Sequence, residues 1–211
     1  MDNMDNNKVT IAGQIISGFT FTHEVYGENF YLVDITVQRL SNSIDIIPLM
    51  ISDRLIDINQ DYIDKYVIVT GQFRSYNLKE ETRSHLMLSV FVKGIEIIDA
   101  PNEDTIPSLS NCIYLDGYVC KPVVYRKTPL GREIADVLLA VNRPYGKSDY
   151  IPCICWGRNA RFAEGFQVGE HIQICGRIQS REYVKPGETE VRIAYEVSVV
   201  KIDSIKEEGA A

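Results

Sequence analysis

The stretch VNRPYGKSDYIPCICWG, residues 141–157, decides the fold. Its second half alternates in the manner of a half-buried strand. Ile151, Cys153 and Cys155 share one face, while Tyr150 and Trp156, six apart, share the other. Pro-Tyr-Gly at 144–146 is a turn, and the apolar, β-rich residues 133–143 precede it, so the whole reads as a β-hairpin. A mid-strand proline marks an edge or a bulge, and a bulge at Pro152 would shift the parity. The hairpin gathers two tyrosines, the only tryptophan, Arg143 and Lys147.

This hairpin belongs to a repeat. Gly13, Gly27, Val37, Arg39, Asp45, Ile47 and Pro48 recur 104 positions later as Gly117, Gly131, Val141, Arg143, Asp149, Ile151 and Pro152. One added residue extends the match from Gly71 and Ser75 to Gly176 and Ser180. Between the copies, DAPNEDTIPSLS has the prolines and acids of a linker. The expected division is therefore residues 1–99, a linker at 100–110, and residues 111–205. In the second copy β-rich segments fall near 112–120, 133–143, 149–156, 170–183 and 189–203, and RNARFAEGF, 158–166, is helical in pattern. In the first copy the matching helix is expected over DRLIDINQDYID, 53–64. Five strands with one helix after the third is the order of an oligonucleotide-binding (OB-fold) barrel. The fold class is thus all-β, two tandem five-stranded Greek-key barrels, each with one short helix between strands 3 and 4.

Composition narrows the function classes. Across 211 residues, 45% apolar and 24% charged residues are globular proportions. No run of about 18 apolar residues is present, so no membrane span is expected. The acidic start MDNMDNNK is no secretory leader, which points to the cytoplasm. The five cysteines, Cys112, Cys120, Cys153, Cys155 and Cys175, form no C-x-x-C pair and read as structural, with Cys153 and Cys155, two apart on a strand, as small core residues. His23, His85 and His171 lack ligand-spaced partners, and no phosphate loop or nucleophile elbow occurs. Glu80 and Glu81 read as a solvated hairpin loop. Neither an enzyme nor a metal or nucleotide cofactor is expected.

LAVNRPYGKSDYIPCICWGRNARFAEGF followed by VGEHIQICGRIQSREY resembles the bacterial single-stranded DNA-binding protein family over nearly all of residues 111–205. The resemblance rests on A-V-N-R, on D-Y-I-P-x-x-x-W-G with the helix after it, and on G-R-I-Q-S-R-x-Y. Two barrels in one chain are similar to the subfamily in which a homodimer supplies four barrels. The resemblance implies base stacking on Tyr145, Tyr150, Trp156, Tyr183 and Phe166. It also implies binding of single-stranded DNA in replication, recombination or repair, and an association with the nucleoid. Many family members end in an acidic tail with a Pro-Phe tip that recruits replication and repair proteins; VVKIDSIKEEGAA lacks that tip.

The physical reading agrees. Every base has a π-face, so an exposed ring binds any sequence. Lys121, Arg126, Lys127, Arg132, Arg143, Lys147, Arg158, Arg161, Arg177, Arg181, Lys185 and Arg192 can track a phosphate backbone and release its counterions. Trp156 also has a core reading, and some of the cations are ordinary surface residues. The copies differ in charge. Residues 1–104 hold 8 basic and 16 acidic side chains, a net −8, against 14 and 13, a net +1, in residues 105–211. Tyr145, Tyr150, Trp156 and Tyr183 correspond to Ser41, Ile46, Ser52 and Leu78, although Tyr26, Phe30, Tyr31 and Tyr76 add rings elsewhere. The second copy is expected to grip DNA and the first mainly to build the assembly. Two other readings stay open: a primosome-like protein-interaction scaffold, favoured by the acidic first copy, and binding of single-stranded RNA, whose 2′-hydroxyl stacking does not read.

Overall fold

The computed structural model describes residues 6–39, 41, 43–79, 84–100, 111–184, 187 and 189–205. The linker over 101–110, Glu80, Glu81, Lys185 and the segment after 205 lie outside them. The chain divides into two compact units, one holding Lys8–Cys112 with Ile178–Tyr195, the other Met1–Asn7, Ile113–Arg177 and Glu196–Ala211.

In the first repeat β1 (Asn7–Ile15), β2 (Thr20–Val25), β3 (Glu28–Gln38), β4 (Ile44–Ser52), β5 (Tyr66–Lys79) and β6 (Ser84–Ile98) follow in chain order. β1 pairs with both β3 and β5, β3 with β4, β4 in parallel with β6, and β6 with β5. That circuit closes a five-stranded barrel, with β2 an added edge on β3. Inside it lie Ile11, Val33, Ile35, Ile47, Leu49, Val69, Phe73 and Val90, all buried.

The second repeat runs β7 (Asn111–Val119), β8 (Val124–Lys127), β9 (Glu133–Arg143), β10 (Lys147–Trp156), helix α1 (Arg158–Ala163), β11 (His171–Val184) and β12 (Val191–Ser204). The circuit is the same: β7 on β9 and β11, β9 on β10, β10 parallel to β12, and β12 beside β11, with β8 on the edge of β9. Both repeats are therefore oligonucleotide-binding barrels in topology. The short edge strands β2 and β8 are additions that the repeat pattern did not reveal.

The helix expected over 53–64 is absent; those residues form successive turns. Aspartate side chains divert the backbone donors that a helix would use. Asp57 accepts the Asn59 N–H at 3.1 Å and Asp61 accepts the Ile63 N–H at 2.9 Å. Such local bonds compete directly with helical ones. RNARFA, with no aspartate in it, does form α1, shorter than expected and ending at Ala163.

Closure explains the repeated glycines. β7 pairs with β11 through Ile113–Tyr118 and with β9 through Tyr118 and Val119, so the strand changes neighbours beside Gly117. A Cβ on Gly117 would strike the Ala140 carbonyl oxygen, as one on Gly13 would strike that of Thr36. Cys153 and Cys155 line the second core, and burial pushes the Cys153 thiol well above its ordinary pKa and that of Cys155 up to about 12. Gly117→Ala should destabilise the protein by about 1–3 kcal/mol in urea unfolding. An unchanged midpoint would show that closure tolerates the added methyl.

Candidate nucleic-acid interface

β9 and β10 pair without interruption from Arg143 opposite Lys147 to Ile134 opposite Trp156. Pro152 faces Leu138 within this register and causes no bulge, so the parity read from the sequence holds. The parallel pairing of β10 to β12 involves Cys153 and Ile154, so at Pro152 the strand has a ladder partner on one side only, which suits a residue without an N–H. Ile151, Cys153 and Cys155 are buried, whereas Tyr150 and Trp156 stand half-exposed on the outer face. Six residues separate them, roughly 20 Å along the strand.

Tyr145 stands at the hairpin tip, 99% exposed, with φ 64 and ψ 32. A non-glycine residue in this left-handed region costs about 1–2 kcal/mol, and its ring packs on nothing that would offset that cost. Tyr183 is partly exposed on the 178–195 segment that belongs to the other unit, where the Arg181 guanidinium sits 5.9 Å from its ring. Phe166 is a correction. It is only 6% exposed, its ring edge-on to Phe162 at 5.1 Å, so it is a core residue whose face is not open to a base. Phe162, on α1, is the exposed ring of that pair.

The cations fall into two groups. Arg126, opposite Ile134 and so on the same rung as Trp156, pairs with Asp136 at 2.9 Å. Lys127 and Arg161 pair with Glu133 at 4.0 and 2.9 Å. Arg143 pairs at 3.4 Å with Asp149, which is 1% exposed. Its charge therefore serves the hairpin too. Arg132, Lys147 and Arg158 are exposed and have no carboxylate partner among the described residues. Arg177 is half-buried, and its Nε has no hydrogen-bond partner.

Tyr118 was missed by sequence reasoning. It lies opposite Ala140, itself opposite Tyr150, and so shares the outer face with the platform. Its ring stacks on His171 at 4.7 Å, and Asp116 holds His171 and Gln173 by accepting from both side chains. The alternation of IYLDGYV carried this signal, since Tyr114, Asp116 and Tyr118 share a face.

The first repeat keeps the ion pair and not the rings. Asp45 accepts two bonds from the Arg39 guanidinium and, in the same unit, the Ser180 N–H at 2.7 Å. Ile46, in the place of Tyr150, donates its N–H to Ser180 Oγ at 3.1 Å. Among the described residues no group of three metal-ligating side chains occurs, and no helix is long and apolar enough to cross a membrane.

Residues 110–205 match the single-strand binding protein family. Single-stranded DNA-binding protein B of Bacillus subtilis is 31% identical over 103 residues, 46% of this chain and 88% of that protein. Single-stranded DNA-binding protein 3 of Listeria innocua is 33% identical over 82 residues, 36% of this chain and 51% of that protein. The chain thus spans about half the length of the Listeria relative. The solved wild-type single-stranded DNA binding protein of Thermus aquaticus superposes with a TM-score of 0.76 at 14% identity, covering 97% of this chain and 95% of its own. At that identity the likeness speaks for the fold.

Arg143→Gln should cost about 3–5 kcal/mol in urea unfolding, because it removes the positive charge paired with the buried Asp149 carboxylate. Adding Asp149→Asn should restore most of the loss. Equal stability of Arg143→Gln and the parent would place Arg143 back among the free cations.

Proposed function

Because the chain belongs to the single-strand binding protein family, we propose that it binds single-stranded DNA without sequence preference, protecting exposed strands in replication, recombination or repair. The observation that carries this reading is the row of outward rings on β10. Tyr150 and Trp156 are half-exposed beside a strained, solvent-facing Tyr145, and next to them Lys147 and Arg158 have no carboxylate partner among the described residues.

Bases would lie on these rings while Lys147, Arg158, Arg132 and Arg177 neutralise phosphates. Tyr183 and Arg181, which belong to the other unit, would contact the strand as well. No bond is made or broken, so the protein acts as a binder and not as an enzyme, and no metal or nucleotide is required. Stacking holds any base, and counterion release drives association, which makes affinity fall as salt rises. The proposal includes the tandem division at 1–99, 100–110 and 111–205, a homodimer presenting four barrels, and work in the cytoplasm on nucleoid DNA. The first barrel would contribute to assembly more than to grip, since Ser41, Ile46 and Ser52 replace its rings.

Anisotropy of labelled oligo-dT tests this. Tyr150→Ala and Trp156→Ala should each weaken binding by about 1–3 kcal/mol. Lys147→Ala and Arg158→Ala should each flatten the slope of log affinity against log salt by about 0.7. Parent-like affinity in both ring variants would rule the platform out. Tighter binding of oligo-U than of oligo-dT would transfer the proposal to RNA.

A further inference from the structure

The first repeat lacks the β10 rings, yet it gathers rings at another place, Phe21 exposed and Phe19, Tyr31 and Tyr62 partly so. Phe21 and Tyr31 face each other across the β2–β3 hairpin, with centroids 5.7 Å apart. Phe19 meets Tyr31 at 6.4 Å and Tyr62 at 6.0 Å, so four rings join edge to face. Phe21 is 56% exposed, and Ile63, beside Tyr62 in sequence, is exposed too. At the hairpin tip Tyr26 is 100% exposed with φ 50, followed by Gly27 with φ 78. Two residues of positive φ make the turn that Asn-Gly favours. A tyrosine there keeps a strained backbone, and its fully exposed ring has nothing to pack against.

Charge distinguishes this surface from its counterpart. Residues 16–28 contain Glu24 and Glu28 and neither lysine nor arginine. The matching residues 120–132 contain Lys121, Arg126, Lys127 and Arg132 and no acid. The turns over 53–64 add Asp53, Asp57, Asp61 and Asp64 against Arg54 alone, and Arg54 is paired with Glu28 at 3.6 Å. A phosphate backbone is repelled here, whereas a cation finds carboxylates near the exposed Phe21 ring and its partly exposed neighbours. The same unit already makes one such contact, the Arg74 guanidinium 3.9 Å above the Phe91 ring.

We propose that the β2–β3 hairpin and the 53–64 turns form a docking surface for an arginine- or lysine-rich segment of a partner protein. The occupant is set by the joint presence of at least partly exposed rings and of Glu24, Asp57, Asp61 and Asp64, which have no ion pair among the described residues. Rings alone would suit a base, and carboxylates alone would be a solvated face. The inference does not depend on the DNA-binding reading, since it concerns a surface of opposite charge on the other repeat.

The test uses the full chain without DNA and a fluorescein-labelled peptide of alternating arginine and glycine, with a glutamate–glycine peptide as control. Saturable binding of the first peptide is expected. Glu24→Gln with Asp57→Asn, Asp61→Asn and Asp64→Asn removes charge but keeps the side-chain oxygens that cap the turns. That variant should bind the peptide about tenfold more weakly, at the few tenths of a kcal/mol typical of each exposed pair. Phe21→Ser should weaken it further, and oligo-dT affinity should be unchanged in all variants. Failure of the peptide to bind, or equal binding by the neutralised variant, would overturn the proposal. So would a change of oligomeric state in that variant, because the surface would then be a contact between copies of the chain.

Discussion

Two backbones must cross closely for either barrel to close. β7 leaves β11 for β9 beside Gly117, where a Cβ would strike the Ala140 carbonyl oxygen, and β1 makes the same change beside Gly13 against Thr36. Ala140 also lies opposite Tyr150. The crossing that closes the second barrel therefore fixes the register of β9, and β9 fixes which residues of β10 face outward. A slip of one residue would bury Tyr150 and Trp156 and expose Ile151, Cys153 and Cys155. The outward row of rings inherits its order from a steric constraint on the opposite side of β9.

The conserved features of the repeat and its diverged ones separate along the same line. Gly13 and Gly117 and the pairs Arg39–Asp45 and Arg143–Asp149 recur because each barrel needs them to close and to hold its β-hairpin. The rings do not recur, since they contribute to no core. Where Tyr150 stands in one repeat, Ile46 stands in the other and bonds through its backbone to Ser180. Sharing a fold has thus left the outer faces free to take opposite charge and different aromatic sets.

What could be read from the sequence was whatever local alternation dictates. The parity of β10, the burial of its two cysteines and the exposure of Tyr145 all followed from the 141–157 stretch. The features that depend on tertiary packing did not. Phe166 matches an aromatic position of the family, yet it packs under α1 against Phe162. Residues 53–64 have the hydrophobic spacing of a helix, but Asp57 and Asp61 bond the backbone two residues on and turn it instead. Arg143 looked like one more cation until the fold set it beside a buried carboxylate. Tyr118 needed β9 as an intermediary before its place next to Tyr150 became apparent.

The most direct test of base stacking on β10 is the emission of Trp156, the single tryptophan of the chain. Titration with oligo-dT at low and moderate salt, with duplex DNA as the control, should quench it strongly for single strands only and less at higher salt. Binding of oligo-dT by anisotropy with no change in Trp156 emission would contradict the account, because the DNA would then be held somewhere other than on this strand.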